Sequence, residues 1–235
     1  MLEVLRSYDR GKTKIDWLES YHSFSFGEYY NPNNMGFGPI RVINDDLVQP
    51  MGGFPTHPHR DMEIITIVTE GAVAHRDSSG GEGIIQIGEV QKMTAGKGIF
   101  HSEFNASDLH ILKLYQIWIV PNQLGLKPSY EEIRYDVAEK KNKLLLVASN
   151  NHSDGVIFLN QDAKIFLADL DTENSLTHST EKNRGVYLHI IKGKVLFDGV
   201  ELSSGDAAKL TEIDSLNLYA KENSSFMLFD VVMNF

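Results

Sequence analysis

The apolar residues of this 235-residue chain come in short runs closed off by turn residues, and almost nowhere in the i, i+3, i+4 spacing of a helix. The runs EIITIVTEGAVAHRD, LKLYQIWIVP, KLLLVAS, AKIFLADL, VYLHIIKGKVLFDGV and FMLFDVVM are rich in Ile, Val, Leu, Phe and Tyr, and Gly, Pro, Asn, Asp or Ser bound them. Only SYEEIRYDVAEKKN reads as one short helix. The predicted class is therefore all-β, a sandwich or barrel with little helix. At 42% apolar and 23% charged, the chain can bury one large β core or two smaller ones.

A weak internal repeat favours two. In the first half an apolar run ends in TEGAVAH, and GEVQKM begins at Gly88, seventeen residues after Gly71. In the second, HIIKGKVLF is followed by GDAAKL at Gly205, twelve residues after Gly193. Strand, Gly turn, strand, then Gly-acidic turn and strand recur in one order. Two related β domains are expected, 1–125 and 126–235, joined within PNQLGLKPSYEEIRYDVAEKKN.

Several function classes drop out. No run of about 18 apolar residues exists, so nothing reads as a membrane helix. MLEVLRSYDRGKTKIDW lacks the apolar centre of a signal peptide, which predicts a cytoplasmic location. There is no cysteine, hence no disulfide, thiolate ligand or cysteine nucleophile. With 22 basic against 32 acidic residues the net charge is −10, and Lys140, Lys141 and Lys143 form the longest basic cluster, a solvated linker. Direct nucleic-acid binding is not expected.

The chemistry concentrates in the first copy. In FPTHPHRDMEIIT, His57 and His59 are two apart and face one side of an extended chain, and Glu63 shares their parity. Pro58 cannot donate to a ladder, so the pair belongs at a strand end or an irregular edge. In AGKGIFHSEFN, His101, Glu103 and Asn105 share a parity, and Gly96 and Gly98 permit a tight turn before them. Two strands thus present imidazole and carboxylate groups to a common interior, a donor set suited to a divalent first-row metal and to oxygen chemistry. Whether Glu63 is a ligand, a support for a ligand or a structural carboxylate stays open at this point. Phe54, Met93 and Phe100 flank the motifs as candidates for an apolar pocket or plain core.

The remaining histidines carry plainer expectations. His22, His110, His152 and His178 read as solvated or hydrogen-bonded, and His189 as a satisfied core histidine. His75 ends a first-copy strand but is out of phase with any clear partner.

H-x-H-x-x-x-E from His57, with G-x-x-x-x-x-x-x-G-x-G-x-x-H ending about forty residues on at His101, looks like the paired motifs of cupins. The fuller text GGFPTHPHRDMEIITIVTEGAVAHRDSSG, then GEVQKMTAGKGIFHSEFN, resembles the pirin family, as do HSFSFGEYY, MGFGPIRVIND and LYQIWIVPNQLGLKPSYE. The similarity is strong over about residues 20–135 and weaker to the C-terminus. It implies a bicupin of two facing jelly-roll barrels, with one divalent metal in the first. That metal is commonly Fe(II), with Cu, Mn, Ni, Co or Zn as alternatives. The pirin pattern implies His57, His59, His101 and Glu103 as ligands, whereas the general cupin pattern would use Glu63; the H-x-E of HSE favours the former. In the second copy the corresponding positions are Ser179, Glu181, Gly185, Leu218 and Ala220, which make no transition-metal site.

The resemblance further implies a dioxygenase of the quercetin 2,3-dioxygenase type, opening a flavonol ring with O2 and loss of carbon monoxide. Four protein ligands on a six-coordinate ion would leave two positions for substrate and O2, and Glu103 could take the proton of a metal-acidified hydroxyl. The alternative it implies is a redox- or metal-state-dependent regulator that binds a transcription factor or a metabolic enzyme. The acidic surface suits a protein partner better than DNA.

Overall fold

The computed structural model describes residues 1–234 and is built from four sheets. In the amino-terminal half a seven-stranded sheet runs β12 (Ser129–Arg134), β9 (Glu89–Thr94), β6 (Glu63–Glu70), β11 (Leu112–Ile119), β4 (Ile40–Val48), β3 (Leu18–His22), β2 (Gly11–Lys14). Facing it is a four-stranded sheet of β5 (Gly53–His59), β10 (Ile99–Asn105), β7 (Ala72–Asp77) and β8 (Glu82–Gln86). The carboxy-terminal half repeats the plan. Its larger sheet runs β1 (Leu2–Leu5), β20 (Ala207–Thr211), β17 (Arg184–Lys192), β22 (Ser224–Val232), β15 (Ala163–Leu170), β13 (Leu145–Ser149), β14 (Ile157–Phe158). Its smaller sheet holds β16 (Ser175–Ser179), β21 (Ser215–Ala220), β18 (Lys194–Phe197) and β19 (Val200–Ser203). This is the all-β, two-barrel architecture expected from the sequence.

Alternation along the strands divides the core. In β4, Ile43 points away from the amino-terminal barrel, while Val42, Asn44, Asp46 and Val48 point into it. The outward residues of the two large sheets meet in one apolar layer. It contains Ile43, Ile65, Ile67 and Ile117 from the first half and Ile165, Tyr187, Met227 and Phe229 from the second. The halves are therefore glued by the faces that a lone barrel would leave wet. Each such side chain contributes roughly 1.5–3 kcal/mol on burial. The carboxy-terminal barrel has its own filling, with Leu188, Leu218, Ala220, Phe226 and Leu228 fully or almost fully buried. The amino-terminal barrel instead carries two separate apolar clusters, one around Leu18, Val48, Val68 and Leu114, the other around Ile64, Met93, Ala95 and Ile99. What separates them is polar.

The sheets exchange strands across the two halves. β1 pairs with β20 of the carboxy-terminal sheet, and β12 pairs with β9 of the amino-terminal one. SYEEIRYDVAEKKN is accordingly not a helix. Its first six residues are β12 and only Val137–Lys140 coil, as a single 3-10 turn capped by the Asp136 side chain. The open edge of β9 decides this, because backbone pairing with it outweighs a weak local helical preference.

Candidate metal centre

β5 and β10 are antiparallel neighbours, and their register sets His57 directly across from His101 and His59 across from Ile99. The register shifts between His101 and Glu103, where two steps along β10 oppose three along β5, so the extra residue bulges β5 between Phe54 and His57. Upstream of the strand, Gly96 (φ +47°) sits so close to Leu126 that a Cβ would lie 2.0 Å from its carbonyl oxygen. Only glycine fits this approach. Ile99, His101, Glu103 and Asn105 all point inward from β10, as their shared parity predicts.

His57, His59 and His101 converge. Their rings lie 4.4 to 4.8 Å apart centroid to centroid, and the Nε2 atoms of His57 and His101 are 3.0 Å apart. His57 Nδ1 lies 2.8 Å from the carbonyl oxygen of Pro55, which can only accept, so the proton sits on Nδ1 and Nε2 offers a lone pair to the interior. Burial, and then repulsion from His57, holds the His59 imidazole down to about 4. Burial, with His57, His59 and His75 adding to it, holds His101 down to about 2. Both rings are thus neutral at physiological pH, the form that ligates a metal. Three neutral imidazoles whose ligand atoms lie within 4.8 Å of one another form a donor set that fits a divalent transition metal.

Glu103 is buried beside this group. Its Oε1 accepts from Thr66 Oγ1 at 3.2 Å and its Oε2 from Gln116 Nε2 at 2.9 Å. It shares a second constellation with His101 and His75, whose ligand atoms all lie within 4.8 Å of one another. His75 sits opposite Glu103 on β7, its ring 5.2 Å from that of His101 and its Nε2 3.1 Å from Asp77 Oδ2. Its partner, which the sequence reading did not identify, is thus Asp77, two residues along the same strand and in phase with it.

Glu63 is elsewhere. The chain turns at Asp61 (φ +50°) between β5 and β6, so the parity with His57 and His59 is broken and Glu63 points into the layer between the halves. There Oε1 accepts from Thr94 Oγ1 and Asn160 Nδ2, both at 2.8 Å, and Oε2 accepts from the Asn160 backbone N–H at 2.7 Å. Lys92 stands 3.8 Å away. It is a clamp between the two halves.

The inner wall opposite the histidines carries a polar stripe between the two apolar clusters. Thr13 Oγ1 meets His22 Nε2 at 2.8 Å, His22 Nδ1 meets Asn44 Oδ1 at 2.8 Å, and Asp46 and Gln116 continue the row. His22 is thus hydrogen-bonded but not solvated; it is buried and faces the cavity. The cavity is about 90 Å3 in volume, or about 480 Å3 when all the empty space at its open mouth is counted, with Phe26, Phe54 and Trp118 as aromatic walls and the histidines on one side. Trp118 stands edge-on to His59, ring centroids 4.8 Å apart. Of the flanking residues singled out in the sequence, Phe54 lines the cavity, Met93 belongs to an apolar cluster and Phe100 is exposed. The stripe had a signal that sequence reading missed: polar residues at in-phase positions within apolar strands, Asn44 and Asp46 in β4 and Gln116 in β11.

Other expectations resolve as follows. His178 is buried against Asp230 with Nε2 2.7 Å from Oδ2, and His152 is exposed and stacks on Phe158. His110 is exposed. His189 is core, but neither of its ring nitrogens has a partner, so it is not a satisfied histidine. In the second barrel Leu218 and Ala220 are part of the apolar filling, and Ser179 and Glu181 are exposed.

Comparison with known proteins agrees with this fold. The family model described as Pirin matches residues 4–119, and one described as Quercetinase C-terminal cupin domain matches residues 146–231. The chain is 40% identical over 231 residues to the protein named quercetin 2,3-dioxygenase of Escherichia coli K12, covering 98% of this chain and 99% of that one. Among solved structures it is similar to the bacterial pirin YhhW from Escherichia coli in complex with nickel(II), with a TM-score of 0.93, 40% identity and 99% of each chain covered. A quercetin 2,3-dioxygenase from Acinetobacter baumannii, at 22% identity and a TM-score of 0.76 over 95% of this chain and 84% of that one, shares the fold.

Proposed function

The chain belongs to the pirin family, and from that premise we propose that it is a metal-dependent dioxygenase that opens a flavonol of the quercetin type with O2. The observation that carries the reading is the convergence of His57, His59 and His101 at a cavity that is apolar on its sides and polar on its far wall. In this reading those three histidines and Glu103 hold a single divalent ion, with Fe(II) as the working metal. The nickel(II) complex of the Escherichia coli relative makes nickel the first alternative to test. A bound ion would act as a Lewis acid toward a substrate hydroxyl and bring substrate and O2 together.

The protein supplies the rest. The aromatic walls take a planar ring system and keep bulk water from it. Glu103 keeps acceptor capacity beyond its bonds from Thr66 and Gln116, and takes the proton of the reacting hydroxyl on a carboxylate oxygen. Thr66 and Gln116, both donating to it, fix its orientation so that little reorganisation accompanies the transfer. The carboxy-terminal barrel, filled with apolar side chains, supports the first through the shared layer.

The test is oxygen uptake and carbon monoxide release on adding quercetin to protein loaded with iron(II) and, separately, nickel(II). Stoichiometric consumption with either metal is expected. No uptake with either would overturn the assignment.

A further inference from the structure

Asp46 sits in the stripe across the cavity from the histidines, 2% exposed, and its Oδ1 has no hydrogen-bond partner. A buried carboxylate oxygen facing a cavity without a donor is costly to keep, and such groups call for an explanation. Ser20, paired across from it on β3, is the neighbouring donor that bears on its carboxyl, yet Oδ1 stays unpartnered. Thr13, His22 and the amide oxygen of Asn44 bond one another, and Gln116 must turn its Nε2 toward Glu103, because a carboxylate only accepts. That fixes Gln116 Oε1 as a second free acceptor; it too is buried and unpartnered. Trp118 Nε1 on these walls is a buried donor, likewise unpartnered. No lysine or arginine lines the cavity.

We propose, building on the flavonol reading above, that Asp46 is a second ligand anchor that accepts a hydrogen bond from a hydroxyl of the bound ring system. The cavity then selects uncharged, hydroxylated aromatics and turns away the same rings bearing a sulfate or carboxylate. Gln116 Oε1 accepts a further hydroxyl, and Trp118 Nε1 donates to a ring carbonyl or ether oxygen. Acceptors from Asp46 and Gln116 beside an aromatic slot match the hydroxyls of a polyphenol and mismatch an anion, which would meet Asp46 and find no lysine or arginine. Burial pushes the Asp46 carboxyl up to about 7, so a donated hydroxyl proton also offsets part of what its ionisation costs. Asp46 touches no reacting atom in this picture; it is a positioning and specificity residue.

The experiment is calorimetric binding to metal-loaded protein without O2, so that nothing turns over. Quercetin, the same flavonol without B-ring hydroxyls, its per-O-methylated form and its sulfate are titrated into wild type, Asp46→Asn and Asp46→Leu. Wild type should bind quercetin at least ten-fold more tightly than the sulfate and the per-O-methylated form, a buried acceptor left without its donor costing about that much. Asp46→Leu should lose ten-fold or more for quercetin and less than three-fold for the per-O-methylated form. Asp46→Asn, which keeps the shape and one acceptor, should recover most of the quercetin affinity and narrow the gap to the sulfate. Equal losses for all ligands, or none, would overturn the anchor while leaving the flavonol reading in place. Wild type that binds no flavonol at all would overturn both.

Discussion

His57 and His101 face each other across paired antiparallel strands with their Nε2 atoms 3.0 Å apart, and the Pro55 carbonyl fixes His57 so that its lone pair points inward. This geometry belongs to the first barrel alone, since in the second the aligned positions Leu218 and Ala220 are buried apolar residues. One tightly bound metal per chain is therefore expected by elemental analysis after dialysis. His57→Ala or His101→Ala should lose it. His178→Ala, whose imidazole bonds Asp230 in the other half, should retain it. Two equivalents surviving dialysis would refute the single site.

Glu103 and Glu63 should separate cleanly. Glu103→Gln removes charge and basicity next to His101, so metal binding should weaken modestly while turnover falls about 100- to 10,000-fold. Glu63→Gln should keep its metal and activity but lower stability to denaturant by about 2–4 kcal/mol. It disturbs a carboxylate holding Thr94 and both donors of Asn160. Metal loss in Glu63→Gln with Glu103→Gln loaded and active would reverse the roles.

Asp46 predicts a pH signature in the metal-free protein. Burial, opposed by a hydrogen bond from Ser20 and by Arg10 and reinforced by Asp45 and Glu103, raises its carboxyl to about 7 from an ordinary 3.8. Between those values the unfolded chain has released a proton that the folded protein still holds, so this group subtracts stability as pH rises through the window. The cost is absent below about 4, complete above about 7, and at most about 4 kcal/mol. The stability gained in Asp46→Asn should consequently grow from pH 4 to pH 7 and then level off. A gap that stays flat across that window in parallel denaturant titrations would contradict it.

No binding to duplex DNA is expected at physiological salt. Non-specific binding draws on several Lys or Arg contacts to phosphate, and this chain has net charge −10 with no basic stripe in its sequence. A mobility shift at sub-micromolar protein would overturn that expectation.

The fold class was legible because strand periodicity is local: short apolar runs between turn residues already contain the sheets. The pairing of His57 with His59 was legible for the same reason, since both lie on one unbroken strand. Glu63 was misplaced once parity was carried across Asp61, where the backbone turns and the next strand joins a different sheet. The strand Ser129–Arg134 was missed because the edge that recruits it lies about forty residues earlier in the chain. His22, Asp46 and Gln116 come from three strands far apart in sequence, so no spacing reveals that they form one wall.

The pairing of β1 with β20 has a consequence for biosynthesis. Leu2–Leu5 leave the ribosome about two hundred residues before Leu210 and its neighbours, the strand they must join. Through the synthesis of the intervening residues that segment has no sheet to enter, and the second barrel cannot close that edge until β20 has been made. Folding is thereby tied to the synthesis of β20: a chain released before it lacks the strand that receives β1 and exposes the apolar faces that the halves bury against each other.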